Sequence, residues 1–133
     1  MHAAYLLQWP DSELASLTEH PPGTVCLRFS AAACRQVDDG LVGYLRPLEL
    51  WFEGATWHAD GPALGCIAQG GLRLDGQLVG SAAQAQGVPL PLDRRGGVVC
   101  TLRLVSGTAL QVKAERVVAR IADAASFRES CAC

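Results

Sequence analysis

The stretch CTLRLVSGTALQVKA, Cys100 to Ala114, constrains the fold most. Two runs of alternating apolar and polar residues, the period of a β-strand, flank a short loop. A two-residue loop, Ser106-Gly107, would set Leu102 against Gln111 and Cys100 against Lys113. A three-residue loop, Val105-Ser106-Gly107, sets Leu102 against Leu110, Cys100 against Val112 and Val98 against Ala114. The second register brings the apolar sets together. It also puts glycine at the third loop position, where the common three-residue hairpin needs a left-handed residue. Two independent constraints therefore agree.

The same rule predicts two more hairpins. In GLRLDGQLV the loop Leu74-Asp75-Gly76 pairs Leu72 with Leu78 and Arg73 with Gln77. In LELWFEGATWHAD, Leu48 to Asp60, the loop Phe52-Glu53-Gly54 pairs Leu50 with Thr56, Glu49 with Trp57 and Trp51 with Ala55. Val25 to Phe29 alternates in the same way, and the strand around Arg35 runs into an Asp-Asp-Gly turn ending at Gly40.

Elsewhere the pattern changes. Asp11 to Leu17, following Pro10, is expected to form a short helix with Asp11 or Ser12 as its N-cap. Pro89 to Gly97 is expected to be a loop, because proline is excluded from central strands. Residues 113–128 fit a helix through their alanines and a strand through Val117, Val118 and Ile121. The favoured reading is strand to about Ile121, then a helical turn around Ala124 to Glu129.

The expected fold is all-β: one domain over residues 1–133, an antiparallel meander of about 6–8 strands forming a sandwich or partly closed barrel. Residues 1–20 would pack on it and residues 124–133 would form a turn and tail. The alternative is α+β with a short carboxy-terminal helix. With half of its 133 residues apolar and 18% charged, the chain can build a core without metal or disulfide.

A net charge of −2 gives no reason to expect nucleic acid or an anionic membrane as partner. Ten arginines against one lysine, with many alanines, suggest a GC-rich bacterial origin. The amino terminus lacks the basic and apolar regions of a signal peptide, and no apolar run reaches the about eighteen residues of a membrane span. A cytoplasmic location is the resulting expectation, with all six cysteines reduced. Cys131 and Cys133 form the one close pair, and a zinc site wants two such pairs. No metal or other cofactor is expected.

The Trp51 hairpin carries the candidate binding residues. Leu48, Leu50 and Phe52 share one face, and Glu49, Trp51 and Glu53 the other. In the predicted register Trp57 joins Trp51 as a diagonal neighbour. His58 then falls opposite Leu48, at the core side or its margin. Such a face is either covered by the chain itself, for example by Tyr5 and Trp9, or exposed for a partner protein or a cationic or sugar-like ligand.

Catalytic constellations are weak. His58 and Asp60 face one way on a strand, but no nucleophile elbow accompanies them. Glu49 and Glu53 lie roughly 13 Å apart by strand rise, too far for a glycosidase pair. Arg94-Arg95 sits near glycines, but no phosphate-loop motif is present. The first functional expectation is a small bacterial-type β domain, structural or acting through protein contact, and in that case a homo-oligomer or the binder of another protein. The second is a small-ligand-binding barrel or sandwich. The third is a hydrolase or isomerase using His58 with Asp60.

Overall fold

A computed structural model describes residues 4–80, 87–121 and 127–128. It contains eleven antiparallel strands, more than the six to eight expected, and no helix among the described residues. They are β1 (Tyr5–Leu7), β2 (Glu13–His20), β3 (Thr24–Gln36), β4 (Val42–Leu45), β5 (Leu48–Glu53), β6 (Thr56–Ala59), β7 (Gly65–Leu74), β8 (Gln77–Leu78), β9 (Val88–Leu90), β10 (Asp93–Leu104) and β11 (Ala109–Ile121).

Six of them pair in the order β2-β7-β10-β11-β5-β3, and β3 returns to β2. The sheet is therefore partly ringed, but it is not a barrel. β2 and β7 meet only through Glu13 opposite Cys66 and Leu14 opposite Gly65. β3 serves two layers. Its first half pairs with β2 and β5, and its second half lies between β1 and β4, with β9 beyond β1. Buried apolar side chains form one continuous core, including Phe29, Phe52, Leu50, Leu72, Leu102, Val112 and Val117.

The β10–β11 hairpin has the expected register: Leu102 faces Leu110, Cys100 faces Val112 and Val98 faces Ala114. Gly107 takes φ of +102°, as the left-handed loop position requires. β11 extends to Ile121 as expected, and the helical turn proposed for residues 124–129 lies outside the described residues except for Phe127 and Arg128, the latter in a β-bridge to Tyr44.

Four local expectations are corrected. The Asp75-Gly76 turn has two residues, so Arg73 faces Leu78 and Leu74 faces Gln77. Both turn residues have positive φ, +50° and +83°, which is the two-residue hairpin geometry. Leu48 to Ala59 is not a hairpin. β5 and β6 both lie along β11 in one register, Glu53 opposite Arg116 and Thr56 opposite Lys113, with a break at Gly54. There φ is +62°, and a side chain would run into the Glu115 carboxylate.

Asp11 to Leu17 is not a helix, because β2 begins at Glu13. It pairs with β3 through another three-residue loop, Pro21-Pro22-Gly23, with Gly23 at +73°. Ser12 caps no helix. Its hydroxyl donates to the Gln8 carbonyl at 2.7 Å and accepts from the Ala33 amide at 2.9 Å. Finally, Pro89 to Gly97 is largely strand. Pro89 is tolerated because, among the described residues, β9 pairs only with β1 and so forms an edge.

Candidate functional site

Trp51 points outward from β5, between Cys26 of β3 and Val118 of β11. Its indole N–H donates to Glu49 Oε1 at 3.2 Å. The Arg120 guanidinium stands 4.6 Å from the ring centroid, within cation–π range. The His20 ring, delivered by the end of β2, lies 5.0 Å away at 41°. Trp51 is therefore held by its own chain. Tyr5 and Trp9, the segment expected to cover it, pack elsewhere: Tyr5 stacks on Phe127 and Trp9 packs against Phe29.

Beside Trp51, on the same outward face, Cys26 is only 3% exposed. Burial pushes its thiol up to about 11. Trp51→Ala is expected to uncover it and speed its modification by a thiol reagent at least about tenfold. Peptide mapping after brief labelling checks this. Cys34 and Cys100, buried and pushed up to about 12, should stay unlabelled in both proteins. Unchanged labelling of Cys26 would contradict the covering role of Trp51.

Glu53 is committed to an ion pair with Arg116 Nη1 at 3.1 Å. The same guanidinium reaches Asp93, Nε to Oδ1 at 3.0 Å and Nη2 to Oδ2 at 2.8 Å. These hydrogen bonds hold the Asp93 carboxyl below its ordinary value. Arg116 thus clasps β10, β11 and β5 together. With Glu49 bonded to an indole and Glu53 to a guanidinium, the two carboxylates do not form an acid–base pair.

Trp57 does not join Trp51. The break at Gly54 separates them, and they line different pockets with no residue in common. Trp57 donates its N–H to Glu19 Oε1 at 2.6 Å, reaching from β6 to β2. It lines a groove with Leu17, Ala63 and Leu64. Trp57 is 38% exposed and Leu64 59%. This groove runs along the seam where the ring is incomplete. Among the described residues, β2 pairs only with β3 from Ser16 onward, and β6 pairs only with β11. Among the described residues, the opposite edges of these two segments carry no backbone hydrogen bond.

His58 is exposed and faces Gln111 on the outer surface, not Leu48. Asp60 Oδ1 accepts the Ala109 amide at 2.7 Å, a turn-stabilising contact. Arg94 and Arg95 belong to β10. Cys66 is disulfide-bonded, which corrects the expectation of six free thiols. Cys131 and Cys133 lie outside the described residues. Among the described residues no group of three His, Cys, Asp or Glu side chains is placed to hold a metal ion, and no helix is long and apolar enough to cross a membrane.

Sequence reasoning missed His20, Arg120 and Glu19. The available signal was Pro-Pro-Gly at 21–23, which closes the β2–β3 hairpin and sets His20 opposite Thr24, itself opposite Glu53. Comparison of the chain with protein-family models, with curated proteins and with solved structures gave no match.

Proposed function

We propose that the chain is a non-enzymatic interaction domain that pairs with a second copy of itself along the open seam between β2 and β6. The observation that carries this reading is the pair of unpaired strand edges flanking an exposed apolar groove. Such edges are templates for adding a strand, and apolar side chains beside them supply the driving force. Two-fold closed dimers are the commonest assembly, which makes a second copy the first partner to test.

The other two functional readings draw less support. The ring interior is occupied by core side chains such as Phe29, Phe52 and Leu50, which favours a contact surface over an internal ligand site. Asp60 is bonded to backbone and His58 lies on an open face, so neither is arranged for proton transfer. The cytoplasmic location is not retained in the proposal, because a disulfide at Cys66 fits an oxidising compartment better.

Sedimentation velocity over a concentration series tests the dimer. The wild type should move from 14.0 kDa toward twice that mass. Leu64→Glu, at a surface position that leaves the core intact, should remain monomeric. A wild type that stays monomeric throughout, or a Leu64→Glu variant that dimerises equally well, overturns the reading.

A further inference from the structure

The outer face formed by β7, β10, β11 and β6 presents side chains in three cross-strand rows. Arg73, Val99, Lys113 and Thr56 form the first. Gly71, Thr101, Gln111 and His58 form the second. Gln69, Arg103 and Ala109 form the third. The register follows from hairpins whose inward positions are apolar, so the polar positions must all emerge on this side.

The middle row begins with a glycine, and that shapes the surface. Gly71 leaves a depression, whose walls include Arg73 and Arg103 as well as Gln69, Gln111 and Thr101. The two arginines lie four residues apart along the strand direction, roughly 13 Å, with the glycine row between them. Both arginines line the same hollow, and Arg73 Nη1 also donates to the Gly76 carbonyl at 3.4 Å.

Charge is unevenly distributed. The chain carries thirteen acidic residues and a net charge of −2, yet no Asp or Glu lines this pocket among the described residues. Lys113 and His58 occupy the adjoining positions of the same face. The nearest carboxylates by register lie outside the hollow: Asp75, two residues beyond Arg73, accepts the Gly97 amide at 2.8 Å, Asp60 accepts the Ala109 amide at 2.7 Å, and Glu115 stands two residues beyond Lys113. The Trp51 face differs, because there Glu49 stands between Arg28 and Arg120 and balances them in part.

We infer that the Gly71 hollow is a binding site for a small ligand carrying a phosphate-type oxyanion. Arginine forks are the side chains best matched to such groups, and they bind them by paired N–H donors. Thr101 and the two glutamine amides supply neutral donors for the remaining oxygens. The glycine floor lets the anion approach the sheet, where any side chain would occupy the hollow and meet Leu78 at 3.4 Å. The site lies on the outer surface and does not depend on the dimer proposed above.

The test uses the full chain, inorganic phosphate as probe, and 1H–15N correlation spectra at constant ionic strength, with chloride as control. Phosphate should shift the Gly71, Thr101 and Gln111 amides in a saturable manner. The double variant Arg73→Gln/Arg103→Gln should weaken this at least about tenfold. Arg35→Gln, on the far half of β3, should leave it unchanged. The rest of each spectrum reports whether the fold is intact. Absence of saturable shifts in the wild type, or equal binding by the double variant, overturns the site. A single-stranded oligonucleotide that binds with steep salt dependence while phosphate does not saturate overturns the small-ligand assignment in favour of a polyanion.

Discussion

Trp9→Ala is expected to lower folding stability by about 3–5 kcal/mol, the range for removing a large aromatic from a packed core. Trp9 is 7% exposed, and its ring lies 6.3 Å from that of Phe29 at 46°. The sequence makes room for it. At Gly70 a Cβ would come within 2.9 Å of Trp9 Cγ and 2.6 Å of Leu102 Cδ2. Indole and glycine are therefore complementary across the core, and truncating the indole leaves a hole that the rigid ladder between β7 and β10 cannot close. Urea denaturation measures the loss. The double variant Trp9→Ala/Gly70→Ala should be less damaged than the sum of its parts, because the added methyl enters vacated space. A Trp9→Ala protein within about 1 kcal/mol of wild type would contradict this packing.

Ser12→Ala should cost about 1–3 kcal/mol, although it removes a single oxygen. Ser12 is fully buried. Its hydroxyl ties the loop after β1 to β3 by accepting from Ala33 N–H and donating to Gln8 O. Alanine leaves the buried Ala33 amide without its partner and takes a donor from the half-buried Gln8 carbonyl. Native-state hydrogen exchange gives a local readout. The Ala33 amide should lose protection by more than the global change explains. Unaltered protection at Ala33 would sink the prediction.

The sequence was most legible where two physical constraints met at one place. At Val105-Ser106-Gly107 the apolar match and the glycine position demanded the same register, and the structure has it. At Asp75-Gly76 they competed. Matching Leu72 to Leu78 favoured three loop residues, but Leu78 lies on a two-residue edge strand and is 42% exposed. Burial there imposes nothing, so Asp-Gly turn chemistry decides.

At Gly54 the local pattern is the same for a turn and for a break within a strand. What separates them is the long β11, which has room for both β5 and β6 side by side with it. No window around Gly54 contains that information. The surroundings of Trp51 were hidden for the same reason. Glu49 is a neighbour in sequence and was placed on its face, whereas His20 and Arg120 arrive from strands whose order only tertiary pairing determines. Pro-Pro-Gly at 21–23 was legible in principle. It was masked by the weak helical reading of Asp11 to Leu17, which tertiary pairing overrides.

β3 belongs to the ring through Thr24 to Phe29 and to the outer layer through Ala32 to Gln36. A single unbroken beam thus runs through both halves of the molecule. The join is continuous in backbone, with a bulge against β2 between Phe29 and Ala31 where the strand passes from one half to the other. A pull on the β1–β9 flank therefore reaches the ring along this strand.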